Sequence, residues 1–129
     1  MGVLKNWIES KFADAPVSED SSFDEIIENF ADGDRLLIFK VSPRCFTSLM
    51  TEKMFDKWYL ENKDESLKLV KINVVAQRPL SNRIVERYQI VHESPQLIWL
   101  DNNEKVLWHG SHHLITVEVL DELLNKQQK

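Results

Sequence analysis

Cysteine is almost absent from this chain of 129 residues: Cys45 is the only one, so no disulfide can form within the chain. A small secreted scaffold held together by disulfides is therefore excluded. Long apolar runs are also missing, and no segment approaches the roughly 20 apolar residues that a membrane span needs. The first ten residues lack the apolar stretch of a signal peptide. We therefore expect a cytoplasmic protein without membrane contacts, in which a lone thiol stays reduced.

Basic residues are the minority, 16 against 21 acidic ones, which gives a formal net charge of −5. Nucleic-acid binding through phosphate contacts needs a basic face, so this class of function is not expected. Hydrophobic residues make up 43% and charged residues 29% of the chain, as in a folded globular protein. We predict a single domain over residues 1–129, with residues 1–21 as an N-terminal extension and residues 125–129 as a frayed tail.

Hydrophobic patterning predicts alternating helices and strands in the first two thirds of the chain. Ser22 and Glu25 form a capping box for a helix that stops at Gly33. Residues 36–41 and 67–75 are apolar runs typical of strands covered on both faces. Between these strands, an apolar residue at every fourth position predicts the buried face of a helix: Phe46, Met50, Met54 and Trp58. Pro79 opens the next helix.

The last third of the chain predicts a β-hairpin of residues 96–100 and 105–109, followed by a helix over residues 116–124 with Thr116 as its cap. Trp7 and Ile8 are predicted to add an edge strand. The whole order gives an α/β protein with a mixed β-sheet of four to five strands, flanked by helices on both faces. This is the order of a thioredoxin-like fold.

Cys45 follows a predicted buried strand and begins a helix. Unpaired N–H groups and the helix macrodipole at such a position favour a thiolate, and Arg44 and Lys40 add positive charge nearby. The sequence therefore predicts a nucleophilic cysteine rather than an inert buried one. Ser48 stands three residues later, where a two-cysteine motif has its second thiol. Any disulfide of Cys45 must then form with another molecule. Ser48 is either a hydrogen-bond donor to the thiolate or an ordinary residue of the first helical turn.

Pro95 is the second candidate site residue, because it opens the predicted strand at the end of the sheet nearest to the cysteine. Thiol-disulfide folds place a cis-proline there, and tertiary contacts can hold the cis form at low cost. A cis bond would expose the backbone of Ser94 to a bound thiol. Proline is otherwise common at the start of a strand.

Two groups of residues resemble the monothiol bacilliredoxin family of bacteria that make bacillithiol. One comprises Phe39, Lys40, Ser42, Cys45 and Ser48, and the other is the run Val91-His92-Glu93-Ser94-Pro95-Gln96. Further matches follow: Leu80-Ser81-Asn82, Ile84, Val106, Trp108, Ser111-His112 and Ile115-Thr116. The resemblance extends from about Phe23 to Leu124. Where family members often have Thr-Cys-Pro-Ile-Ser, this chain has Arg44-Cys45-Phe46-Thr47-Ser48.

The resemblance implies that Cys45 removes bacillithiol from S-thiolated client proteins, with the small thiol as co-substrate and no bound cofactor. Arg44, Ser48, Ser94 and Pro95 are then the substrate-binding residues. Arg44 or Lys40 would hold the malate part of bacillithiol, unless both are simply solvated charges.

Three alternatives to this function remain open. The fold can serve as an interaction module in which Cys45 is inert. A monothiol glutaredoxin would use glutathione, or hold an iron–sulfur cluster between Cys45 and an external thiol in a dimer. A zinc site is disfavoured, because the four histidines lack metal-ligand spacing: His92, His109, His112 and His113. We predict no metal site.

Overall fold

A computed structural model describes residues 15–127, and these form one four-stranded sheet with helices on both faces. The elements occur in the predicted order and type. They are α1 (Ser22–Glu28), β1 (Arg35–Val41), α2 (Phe46–Asn62), β2 (Leu67–Asn73), α3 (Arg78–Tyr88), β3 (Gln96–Asp101), β4 (Val106–Ser111), a 3-10 turn (His112–Leu114) and α4 (Val117–Gln127). The strand predicted at Trp7 and Ile8 lies outside the described residues.

The sheet is mixed, with the strand order β2-β1-β3-β4. β1 runs parallel to β2 and antiparallel to β3, and β3 and β4 form the predicted hairpin. Lys40 near the end of β1 pairs with Gln96 at the start of β3. Residues 42–45 therefore leave the sheet at the same end where residues 91–95 enter it. We call this the Cys45 end of the sheet.

Side chains of the strands alternate between two cores, as the two-residue period of a strand requires. On one face, Leu37 and Phe39 pack with Phe55 and Trp58 of α2 and with Leu120 of α4. On the other face, a second core is formed by Phe23, Leu36, Ile38, Ile84 and Ile98, which joins α1 and α3 to the sheet. The predicted mixed sheet with helices on both faces is confirmed.

Three helix ends differ from the prediction. α1 ends at Glu28 and does not reach the stop predicted at Gly33. α1 starts at Ser22, its N-cap residue is Ser21, and no side chain caps it. The Ser22 N–H already donates to the Glu19 carbonyl, so the chain turns before the predicted cap. The cap of α4 is as predicted, because Thr116 Oγ1 accepts from the Val119 N–H at 3.2 Å. α4 continues to Gln127, three residues beyond its predicted end.

The predicted buried face of α2 is wrong at its N-terminal half. Phe46 is 75% exposed and Met50 53% exposed, whereas Phe55 and Trp58 are buried. A four-residue period advances about 40° per step on a helix of 3.6 residues per turn, so three steps turn the stripe well away from the core. No helix of residues 15–127 is long and apolar enough to cross a bilayer.

Candidate active site at the Cys45 end of the sheet

Cys45 is the N-cap residue of α2, with extended backbone angles (φ −117°, ψ 121°). Its carbonyl accepts the Leu49 N–H at 3.0 Å, which is the first hydrogen bond of the helix. The side chain is a free thiol at intermediate exposure. A thiolate at this position lies beside the unpaired N–H groups of a 17-residue helix, which stabilise negative charge. The arrangement fits a nucleophilic cysteine that other molecules can reach.

Ser48 shapes the turn that carries this thiol. The residue is fully buried, and its Oγ accepts a hydrogen bond from the Ser42 N–H at 2.8 Å. The Ser42 Oγ in turn accepts the Arg44 N–H at 3.3 Å. The hydroxyl therefore ties the end of β1 to the first turn of α2. The contact between Ser48 and bound substrate stays a prediction.

We expect Ser48→Ala to lower the free energy of unfolding by about 1–2 kcal/mol, because the Ser42 N–H loses its acceptor. Urea denaturation measures the change. Thr47→Ala is the matched control, since Thr47 is an exposed neighbour on the same helix. Equal stability of the two variants would contradict the role assigned to Ser48.

The predicted residues before β3 lie at the same end of the sheet. The Ser94–Pro95 peptide bond is cis, and the Pro95 carbonyl accepts the His112 N–H at 3.1 Å. Ser94 is partly exposed, and its buried Oγ has no hydrogen-bond partner within residues 15–127. Arg44 is exposed next to Cys45. The fold thus brings both predicted segments to one end of the sheet.

Lys40 does not occupy the position expected from the sequence. Its side chain is fully buried on the α3 face of the sheet, the opposite face from α2. Nζ donates to the Ser81 carbonyl at 3.0 Å and lies 3.3 Å from His92 Nδ1. The ammonium is therefore held inside the protein and does not offer a surface contact for malate. Burial lowers the pKa of Lys40 from 10.5 to about 8.

His92 is a functional candidate to which the sequence alone assigned no role beyond its place in the family-like run before β3. Burial lowers its pKa, and the nearby charges of Lys40 and Arg78 lower it further, while Glu93 acts in the opposite direction. The sequence did contain one sign that a polar partner such as His92 exists. Lys40 lies inside an otherwise apolar strand, and a buried lysine needs polar partners from elsewhere in the fold.

Exposed apolar side chains adjoin the thiol. Phe46, Leu49 and Met50 follow Cys45 at helical spacing on the first turns of α2, and all three are exposed. Together they make the surroundings of the Cys45 turn less polar than the acidic composition of the chain indicates.

A family model described as monothiol bacilliredoxin BrxC matches residues 15–120. The chain belongs to the monothiol bacilliredoxin family. A solved structure described as a proposed oxidoreductase with a thioredoxin fold is 27% identical, covering 82% of this chain and 88% of its own, with a TM-score of 0.66. Family membership together with this likeness supports a thiol oxidoreductase.

More distant thioredoxins share the fold. The germline-specific thioredoxin Deadhead from Drosophila melanogaster is 18% identical, with coverage of 87% of this chain and 97% of its own and a TM-score of 0.64. A thioredoxin variant from Halobacterium salinarum is 17% identical, with 88% coverage of both chains and the same TM-score. At such identities the comparison establishes the thioredoxin fold alone.

Within residues 15–127, no three histidine, cysteine or acidic side chains lie close enough together to hold a metal ion. The site contains one free thiol, that of Cys45.

Proposed function

We propose that the protein is a monothiol thiol-disulfide oxidoreductase that removes bacillithiol, or a similar small thiol, from protein mixed disulfides. The observation that carries the proposal is the position of Cys45, a partly exposed thiol at the N-terminus of α2. Ser48, not a second cysteine, stands three residues later. The cytoplasmic location predicted from the sequence is part of the proposal, because the cycle needs a reducing compartment.

The reaction is a pair of thiol-disulfide exchanges. The Cys45 thiolate attacks the small-thiol sulfur of the mixed disulfide, so a bond forms between Cys45 and the small thiol while the client's S–S bond breaks. The client cysteine leaves as a thiolate and takes a proton from water. A second small thiol then attacks the adduct, which releases a symmetrical disulfide and restores the Cys45 thiolate. The second thiol supplies the two electrons.

Residues around the thiol support a large client. The exposed apolar side chains Phe46, Leu49 and Met50 offer contact area for a protein substrate beside the reacting sulfur. Ser94 and Pro95 would bind the extended backbone next to the disulfide, and Arg44 would lie close to the charges of the small thiol. Ser48 would act indirectly, by holding the turn of residues 42–45 that carries the thiol.

The proposal is tested by exposing the reduced protein to oxidised bacillithiol and oxidised glutathione in competition and measuring its intact mass. We expect one bacillithiol adduct, released by added thiol and absent in Cys45→Ser. A glutathione adduct would favour a monothiol glutaredoxin instead. Absence of both adducts would show that Cys45 is inert, and an interaction module would then replace the enzyme as the better hypothesis.

A further inference from the structure

Basic side chains gather around His92, although the chain as a whole carries a formal net charge of −5. Lys40 contacts the ring from inside the protein, and its Nζ lies 3.3 Å from Nδ1. Arg78 is an exposed residue at the start of α3, one helical turn before Ser81, whose Oγ lies 3.5 Å from the same ring nitrogen. We call this group of three, Lys40, Arg78 and His92, the His92 cluster.

The contact with Lys40 determines which ring nitrogen of His92 carries hydrogen. A protonated lysine has three donors and no acceptor, so Nδ1 must accept and the neutral ring has its hydrogen on Nε2. Nδ1 is directed at the buried ammonium, so Nε2, on the other side of the ring, is directed away from it. His92 itself is exposed. The ring therefore offers an N–H donor that is backed by a buried positive charge.

Glu93 is the acidic residue that acts on His92, and its carboxylate is engaged elsewhere. Its Oε2 accepts a short hydrogen bond from the Ser111 Oγ, which holds it towards β4. Glu93 keeps its negative charge, and two positive charges, those of Lys40 and Arg78, stand against it beside the His92 N–H. Arg78 suits a carboxylate, because a guanidinium can pair with both of its oxygens.

The His92 cluster lies at the Cys45 end of the sheet. Lys40 pairs with Gln96, so the segment that carries His92 enters the sheet where the segment to Cys45 leaves it. His92 is also three residues before Pro95. A small molecule bonded to Cys45 next to Ser94 and Pro95 would therefore have the cluster on one side.

We infer that Arg78 and His92, with Lys40 behind them, bind a carboxylate of the small thiol that forms the mixed disulfide with Cys45. This inference rests on the proposed function, and it assigns to the His92 cluster the carboxylate recognition that the sequence assigned to Arg44 or Lys40. The oxidoreductase then selects anionic small thiols over neutral ones.

The first test compares three symmetrical disulfides that differ mainly in charge: dithiodipropionate, hydroxyethyl disulfide and cystamine. The second-order rate constant for their reaction with Cys45 is measured by intact mass. We expect the anionic disulfide to react about tenfold faster than the neutral one at low salt, as for a charge-assisted contact at a partly exposed site. Arg78→Gln and His92→Asn should reduce this preference to about twofold or less.

Lys63→Gln is the matched control for the loss of one exposed positive charge, and it should retain the preference. The inference is overturned if both Arg78→Gln and His92→Asn keep the preference. It is equally overturned if Arg44→Gln alone removes it, because the anion would then be held at the Cys45 turn.

A second measurement separates failure of the site from failure of the proposed function. The Cys45→Ser variant is titrated with malate, and the ring resonances of His92 are followed by NMR. We expect a saturable shift that is lost in Cys45→Ser/Arg78→Gln. If Cys45 reacts with no disulfide but malate still binds, the function fails and the site stands. If Cys45 reacts but malate causes no shift, the site is wrong.

Discussion

Asp56→Ala is expected to destabilise the protein by about 3 kcal/mol, because it takes a carboxylate from a buried ammonium. Lys71 is fully buried on β2, and its Nζ lies 2.8 Å from an oxygen of Asp56 on α2. Lys71 Nζ also contacts Glu52 at 2.5 Å and the Ala15 carbonyl at 2.6 Å. Glu52 remains in the variant as a partly exposed partner of Lys71. The loss of stability should therefore lie at the lower end of the range known for broken buried ion pairs.

Urea denaturation at neutral pH measures this change. The control is the double variant Asp56→Leu/Lys71→Met, which replaces both charges with apolar side chains of similar size. Such replacements are often close to neutral, so the double variant should recover most of the lost stability. A loss below about 1 kcal/mol in Asp56→Ala would contradict the importance of the pair. A double variant as unstable as the single one would mean that packing, not charge, sets the cost.

The sequence predicted the strands that contain Lys40 and Lys71, but it did not predict the contacts that these two lysines make. A mostly apolar run that contains one or two lysines is still predicted as a buried strand, because hydrophobic burial of the other residues decides the element. The partners of Lys40 and Lys71 come from α3, the loop before β3, α2 and the segment before α1. Such contacts between residues far apart in sequence depend on strand order and register, which local patterning does not determine.

The candidate site was more predictable than its surroundings. A strand followed by a cysteine and a helix places Cys45 at a helix N-terminus from local pattern alone, and a proline at the start of β3 follows equally from local pattern. That the two segments meet at one end of the sheet follows from the antiparallel pairing of β1 with β3. The role of His92 needed that register in addition, since only then does Lys40 come to lie behind it.

Exposure along α2 could not be predicted from periodicity. Phe46 and Met50 are apolar and spaced as if buried, yet both face solvent next to Cys45. A pattern records which residues are apolar, and it does not distinguish a core from a surface kept apolar for a binding partner. At this helix the misplaced residues are the ones that follow Cys45 on the first turns of α2.

Lys40→Met is expected to remove the pH dependence that Lys40 gives to stability. Burial lowers the pKa of Lys40 to about 8 in the folded protein, against an ordinary value of 10.5. Below pH 8 both the folded and the unfolded chain hold the proton, and the folded state bears the full cost of burying the charge. Between about pH 8 and 10.5 the unfolded chain binds more protons, so the contribution of Lys40 to stability rises with pH.

Integrated over that range, wild type should gain about 3 kcal/mol of unfolding free energy relative to Lys40→Met as the pH rises from about 7 to 10.5. Urea denaturation of both proteins at several pH values gives the difference, in which the titration of the shared groups cancels. Lys105→Met, which removes an exposed lysine, corrects for the loss of one charge. Stability curves that run parallel for wild type and Lys40→Met would contradict the prediction. A rising difference would establish that the Lys40 ammonium behind His92 is buried at a cost in folding stability. Methionine would fill the same space without that cost, which argues that the charge itself serves the His92 cluster.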